Sequence, residues 1–391
     1  MPNNIVFKIY YYSFLMLFLQ SMHVWFLWGN LFKILCPILF LCCAYLNHRK
    51  NPICYRSYSQ KYLFLILIAI LALLGVYDAG FMSISKVLIG IFALFEITLL
   101  SKQIGKIILL KLTKFFGIIS LISLIGWVMF LLNIPLPHNG IIDDEFGYTF
   151  ENYYVFLYNG LGVIPRFCSI FLEPGYYGQL AAIFLFANNM KLNNVYLVFI
   201  FIAILFSLSL AGYVLLILGF LFTYIKKEKI VYLIFSVVLG IGIYHYLKSY
   251  NEGDNPINNL IFSRLEIQDG KLSGDHRSTD LLDRYYSKTL KEKGQVLFGV
   301  GSSFSKMNWG HGVAGYKAYI VEHGYVGLFL ALIGYFIILF RNKYTSRKMI
   351  LSFIFFMALY WQAAYPYWFS FFSLYVFCIS IFVLQECRRI K

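Results

Sequence analysis

Phe115-Phe-Gly-Ile-Ile-Ser-Leu-Ile-Ser-Leu-Ile-Gly-Trp-Val-Met-Phe-Leu-Leu-Asn133 carries no charge over its whole length. About 20 mostly apolar residues in a helix match the hydrocarbon thickness of a bilayer, and a helix satisfies its own backbone hydrogen bonds there. Lys111 and Lys114 precede the stretch, and Ile134-Pro-Leu-Pro137 follows it. The pattern of a basic flank, an apolar run and a polar exit recurs along the chain. The runs Ile9–Leu27, Leu31–Leu46, Tyr62–Tyr77, Ile84–Leu100, Phe115–Asn133, Gly175–Asn188, Val195–Leu210, Gly212–Ile225, Ile230–Leu247, Tyr319–Phe340, Met349–Ala364 and Tyr367–Leu384 read as spans. The expected fold is all-α, a polytopic transmembrane bundle of about twelve helices.

Composition agrees with a lipid environment. Of 391 residues, 60% are hydrophobic and 13% charged, and a mean hydropathy of +0.71 leaves too little polar surface for a water-soluble globule. The formal charge of +15 invites a nucleic-acid reading, but the basic residues mark loops between apolar runs and do not gather on one polar face. No nucleic-acid partner is expected.

Short cytoplasmic loops carry the Lys and Arg excess. His48–Lys61 holds Arg49, Lys50, Arg56 and Lys61, and Ser101–Lys114 holds Lys102, Lys106, Lys111 and Lys114. Lys226, Lys227 and Lys229, then Arg341, Lys343, Arg347 and Lys348, then Arg388, Arg389 and Lys391 fall on the same side. Both termini are therefore expected in the cytoplasm, with the first span an uncleaved anchor. The whole chain, 1–391, reads as one integral membrane domain. Two segments on the far side exceed ordinary connectors of about 2–8 residues. They are Ile134–Leu172 and Lys248–Ala318, the second expected to be partly helical.

The first outer segment holds Asp143, Asp144 and Glu145, then Tyr153, Tyr154, Phe156 and Tyr158, and closes on Arg166-Phe-Cys-Ser-Ile-Phe-Leu-Glu173-Pro174-Gly-Tyr-Tyr. Two readings of Glu173 stand. With Pro174 it makes a good helix entrance, or it joins Arg166 in a polar site at the outer boundary.

The second segment contains an amphipathic helix expected to start at Ser278 as N-cap, with Leu281, Leu282, Tyr285 and Leu290 on its apolar side. Arg277, Arg284, Lys288 and Lys291 share one face at about 100° per residue, a basic stripe. Such a stripe suits a solvated face on the membrane surface, or a diphosphate held by arginines. Leu297-Phe-Gly-Val-Gly301 is a close-approach loop without the further glycine of a nucleotide fingerprint.

No C-x-x-C pair or disulfide framework occurs among the seven cysteines, and the adjacent Cys42 and Cys43 read as small hydrophobes. The histidines have no metal-ligand spacing, so neither metal nor cofactor is expected.

Three stretches carry a resemblance. They are Arg166 to Tyr177, the run Ser273-Gly-Asp-His-Arg277 with its helix leading to Leu297-Phe-Gly-Val-Gly301, and Tyr319-Ile-Val-Glu322-His-Gly-Tyr-Val-Gly-Leu328. In order, spacing and topological side they resemble the Wzy-type O-antigen and capsular polysaccharide polymerases, within the O-antigen ligase-like superfamily. The first 130 residues match only in hydropathy. The resemblance implies transfer of a growing glycan from undecaprenyl diphosphate onto the next lipid-linked repeat unit, at the outer face of the bacterial inner membrane. Substrate and membrane lipid are then the ligands, and a chain-length regulator in the same membrane is the protein partner. The ligases place His-Asn ahead of the glutamate matching Glu322. Val313 stands there in this chain, with His311 nearby but out of register.

Departure of a lipid diphosphate needs fixed positive donors. Arg166, Arg277 and Arg284 are the candidates, with Lys288 and Tyr319 as further substrate contacts. An acceptor hydroxyl needs a base, and Glu173, His311 and Glu322 are the candidates in that order. A transporter of lipid-linked oligosaccharide is the alternative of a different class. It would place ionisable residues within its spans, where this chain has chiefly Lys33, Lys86 and Glu96.

Overall fold

The computed structural model describes residues 5–51, 65–67, 69–70, 73, 81–143, 149–160, 165–224, 245–246, 248–250, 258, 267–268, 271–272, 279–309, 315–340, 371–372 and 374–376. The chain is mostly helical with few strands. It divides into two compact units, Met1–Leu112 with Arg277–Lys391, and Thr113–His276. The expected span Met349–Ala364, and most of Tyr62–Tyr77, Ile230–Leu247 and Tyr367–Leu384, lie outside the described residues.

In the first unit, α1 (Ile5–Ser21) packs on α2 (Phe32–Lys50), and α2 packs on α3 (Phe81–Leu99). Aromatic rings hold this end together. Phe14 lies edge-on to Phe40, Phe371 and Tyr375, with centroids 5.9, 5.0 and 4.8 Å away. Such offset pairs add about 0.5–1.5 kcal/mol each beyond their buried area. The first expected span was too long: α1 ends at Ser21, and a short 3-10 turn covers Trp25–Leu27. Cys43 is buried as expected, whereas Cys42 is exposed.

Helix α4 runs from Lys102 to Leu131. The basic segment Ser101–Lys114, expected as a loop, is helical from Lys102 onward and continuous with the apolar run. Lys111 finds partners there, its Nζ 4.6 Å from the Tyr11 ring and 5.5 Å from the Phe7 ring. Such cation–π contacts, and the apolar lysine stem, let a charged residue sit in a helix.

Within the second unit, the remainder of α4 leads into a three-stranded antiparallel sheet, β1 (Ile141–Asp143), β2 (Thr149–Asn152) and β3 (Leu157–Tyr158). Ile142 pairs with Phe150, and Asn152 with Leu157. This sheet, and a two-residue pair of strands β4 (Ile267–Gln268) and β5 (Lys271–Leu272), correct the all-helical expectation. Helices α5 (Pro174–Ala187), α6 (Val195–Ser207) and α7 (Leu210–Tyr224) follow the sheet. At 1.5 Å per residue their 14, 13 and 15 residues reach about 20–23 Å, short of the ~30 Å hydrocarbon layer. Among the described residues, two helices are long and apolar enough to cross a membrane, Gln103–Leu131 and Tyr316–Ile337.

Helices α5 and α7 cross where two glycines meet. A Cβ on Gly212 would lie 3.0 Å from the Gly178 backbone, and one on Gly178 would lie 2.7 Å from the Ser209 Cβ. Small residues allow backbones this close, which recovers dispersion energy where no water is expelled.

Back in the first unit, Thr279, not Ser278, caps the outer helix by accepting from the Leu282 amide at 3.2 Å. The helix α8 covers Asp280–Arg284, widens through an i→i+5 turn over Tyr285–Thr289 and closes with Leu290–Glu292. Gly294 (φ +66) takes the left-handed position that ends it, with the Gln295 amide donating to Leu290 O. Helices α9 (Ser302–Trp309) and α10 (Tyr316–Phe340) complete the described part.

Candidate functional site

The sequence expectations named residues in both units, and each unit builds its own constellation. In the first, α10 is broken at Gly324, whose φ of 67° and ψ of −177° belong to a region open essentially to glycine alone. A helix break strands carbonyls before it and amides after it. Here the stretch Val296–Gly301 supplies the missing partners. Val300 N donates to Val321 O (2.8 Å), Gly301 N to Glu322 O (3.1 Å), Tyr325 N to Val296 O (2.9 Å) and Val326 N to Leu297 O (3.0 Å). Leu282, Leu290, Val300, Ala318, Ile320 and Val321 form one buried cluster beneath this join.

This join brings Leu297–Gly301 onto Tyr319–Leu328, two of the three stretches singled out in the sequence. Glu322 is buried at 8% exposure, the last but one residue before the break. The Tyr319 ring stacks on His323, with centroids 4.3 Å apart and planes 8° from parallel, and its hydroxyl donates to Gly327 O at 3.3 Å. Tyr319 therefore braces the break from both sides. A half-buried ion pair, Lys317 Nζ to Asp283 Oδ1 at 2.7 Å, ties α10 to α8. Tyr286 and Tyr325 share a hydrogen bond of 3.1 Å between hydroxyls, and burial pushes the Tyr286 phenol above its ordinary value.

Arg284 and Lys288 are exposed, and Lys288 lies 3.9 Å from Glu292. Leu281, expected on the apolar side, is exposed instead, whereas Leu282 and Leu290 are buried. The wide turn over Tyr285–Thr289 breaks the regular 100° advance on which that expectation rested. Arg277 and His311 lie outside the described residues.

In the second unit, Arg166 is occupied by the end of a helix. Its Nε donates to Ser207 O (3.2 Å) and a terminal guanidinium nitrogen to Leu208 O (2.9 Å). Leu208 takes φ +47 at the C-terminus of α6. The neighbouring carbonyls are taken too: Ile204 O by Ser207 Oγ, Leu205 O by Tyr213 OH and Phe206 O by Phe167 N. A cation at the negative end of a helix dipole is favourable, so this residue holds α6 against the stretch leading to Glu173.

Glu173 is the N-cap residue of α5, with Pro174 in the first turn, and its side chain makes no capping hydrogen bond. The carboxylate is exposed. Its backbone oxygen accepts from Tyr177 N at 3.0 Å. Between Arg166 and Glu173 lies Cys168, whose Sγ donates to Leu157 O at 2.9 Å. Burial pushes its thiol up to about 12, against the opposing pull of that hydrogen bond and of Arg166, while Glu173 adds to the rise.

Sequence reasoning missed two features here. Ser123 Oγ donates to Val155 O (2.6 Å) and therefore receives the hydrogen of Ser169 Oγ (2.8 Å), with Ser169 in the left-handed region at φ +55. The serines of an apolar run are the available signal. The aromatic residues of the first outer segment supply the second. Tyr153, Phe156 and Tyr158, which the sequence shows only as an aromatic run, pack on Phe130, with centroids 5.2, 5.7 and 4.9 Å away. Burial, with a hydrogen bond to Glu151, pushes the Tyr153 phenol up to about 12.

A cavity lined by Phe116, Ser120, Phe171, Tyr177, Ala181 and Ile200 has a volume of about 10 Å³, room for one water molecule and not for a sugar. Comparison of the chain with protein-family models, curated proteins and solved structures found no match.

Proposed function

We propose that this chain is a multi-pass inner-membrane glycan polymerase, with about twelve spans and both termini cytoplasmic. On this reading it transfers a growing oligosaccharide from undecaprenyl diphosphate to a lipid-linked repeat unit at the outer face. The observation that carries it is the hydrogen-bonded join of Val296–Gly301 to the broken helix at Gly324. Two short stretches that resemble the polymerases, separated by some twenty residues, meet there backbone to backbone.

The membrane setting is supported by helix α4, which is apolar on the wrong side for water. Ile118, Ile122, Ile125 and Val128 follow one another at helical spacing and are all exposed, whereas Thr113, Ser120 and Ser123 are buried. A soluble helix shows the reverse arrangement. Outward isoleucine and inward serine suit lipid outside and interhelical hydrogen bonds inside.

The chemistry assigned to the chain needs no resident metal. On this reading Arg277, Arg284 and Lys288 stabilise the departing diphosphate, and His311 or Glu322 takes the proton of the acceptor hydroxyl. Broken helices also mark transporters, whose bared backbone groups bind substrate or ion. In this chain the loop consumes those groups, which favours an enzyme over a transporter of the same lipid-linked sugar.

The test is reconstitution of the purified chain in vesicles with an undecaprenyl-diphosphate-linked repeat unit. A ladder of lipid-linked oligomers is expected, and deletion of the gene is expected to leave single repeat units. Movement of the repeat unit across the bilayer without any ladder would replace this reading with the transporter.

A further inference from the structure

Helix α6 stops short of the outer boundary, and its end is sealed by protein groups. In the membrane reading above, on which this inference rests, its first turn marks the inner side. Asn194 caps that turn, and Lys191 and Asn193 just before it are exposed. The 13 residues of the helix reach about 20 Å in a hydrocarbon layer about 30 Å thick. Helix α4 gives a second measure of the same height. At the inner end Asn188 Nδ2 donates to Thr113 Oγ1 at 3.0 Å. Trp127, about 21 Å further along α4 at 1.5 Å per residue, meets the rings of Phe167 and Phe206, with centroids 5.9 and 5.5 Å away. Both measures leave Phe167 and Phe206 about 10 Å below the outer boundary, and any tilt lowers them further.

The turn between α6 and α7 is built for that depth. A helix end leaves its last carbonyls to water unless other groups take them. Here every carbonyl from Ile204 to Leu208 accepts from a protein donor on Arg166, Phe167, Ser207 or Tyr213. The side chains are inside out for a turn in water: Ser207 and Ser209 are buried, whereas Leu205, Phe206 and Val214 are exposed. Irregular backbone is tolerated at membrane depth where it is buried in protein, and Phe167 to Phe171 is buried throughout. Ser209 Oγ also donates to Gly175 O at 3.4 Å, so the entrance of α5 stands level with this turn. The exposed Glu173 carboxylate at that entrance is costly against lipid and needs water.

We infer that Arg166–Phe171 and the α6–α7 turn form a re-entrant floor inside the outer leaflet. Acyl chains cover Leu205, Phe206 and Val214, and water from the outer face reaches Glu173.

Chains carrying Leu205→Trp or Val214→Trp, each compared with the unsubstituted chain, test this in phosphatidylcholine vesicles with a nitroxide either on the headgroup or deep in the acyl chain. Each added indole is expected to be quenched severalfold more by the deep nitroxide. Asn193→Trp, at the inner loop, is expected to show the reverse order. A bilayer-impermeant maleimide should label the thiol of Glu173→Cys, read by peptide mass spectrometry. Headgroup quenching at positions 205 and 214 that equals or exceeds deep quenching overturns the inference. Deep quenching at position 193, or an unlabelled thiol at position 173, overturns it too. Resistance of the unsubstituted chain to extraction at alkaline pH is the separate readout. A chain that washes off the vesicles refutes the membrane reading itself, whereas one that stays but is quenched from the headgroup refutes only this floor.

Discussion

Gly299 and Gly324 lie backbone to backbone, so close that a Cβ on Gly299 would fall 2.7 Å from the Gly324 nitrogen. A Cβ on Gly324 would in turn fall 2.5 Å from the Phe298 nitrogen. Both residues have positive φ, +74 and +67. Alanine at either position therefore meets backbone strain of about 1–3 kcal/mol and an overpacking cost of about 1–3 kcal/mol more. Gly299→Ala and Gly324→Ala are each expected to lower the melting temperature of the detergent-solubilised chain and to abolish oligomer formation. Gly140→Ala, with open space around its Cβ, should lose only the cost of its own φ.

Removal of the Arg166 side chain leaves the Ser207 and Leu208 carbonyls without their guanidinium. Ser207 is fully buried, so Arg166→Ala is expected to cost about 1–3 kcal/mol, measured as a lower melting temperature. Lysine retains the charge at the helix end but not the fork. Arg166→Lys should recover part of the stability, and polymer formation should remain lost if this residue also holds diphosphate. Full recovery of the ladder with lysine would confine Arg166 to capping the helix.

The buried Cys168 thiol gives a pH signature. Its folded value of about 12 lies above the ordinary thiol value of about 8.5, so folding favours the protonated form. That contribution is complete below pH ~8.5 and is lost as pH rises through about 12. Alkylation of Cys168, followed by peptide mass spectrometry, should be slow at pH 8. It should accelerate steeply in the alkaline range or on unfolding.

Two glycines on the same helix make opposite predictions. Gly212→Ala pushes against the Gly178 backbone, which cannot yield without separating the helices. Gly219→Ala meets the flexible end of Met190, with Cε and Sδ at 3.1 Å. The first is expected to lower the melting temperature by several degrees, equivalent to about 1–3 kcal/mol. The second is expected to change it little.

Apolar periodicity located the helices better than their ends. The run at Phe115–Asn133 is helical as far as Leu131, but hydropathy counts charge, so it assigned Lys102–Lys114 to a loop. The rings of Phe7 and Tyr11 that accommodate Lys111 come from another helix, and no local window contains them. Gly324 was visible as a glycine within an apolar run, yet its function as a break depends on hydrogen bonds from Val296–Gly301. Arg166 was identified as a charged residue near a membrane boundary. That its partners are carbonyls some forty residues later follows only from the fold. Glu173-Pro174 was legible because a helix entrance is a local signal.

The order of synthesis gives the Gly324 join a further consequence. Val296–Gly301 leaves the ribosome before Val321–Val326, so the loop exists first and must wait for its partner strand. On the membrane reading proposed above, α10 enters the bilayer with a gap in its hydrogen-bond ladder that only the previously made loop can close. Insertion and tertiary folding are therefore one event at this helix. A chain truncated between Gly301 and Tyr316 would carry the seal with nothing to seal, and a helix supplied alone would enter lipid with its backbone open at the centre.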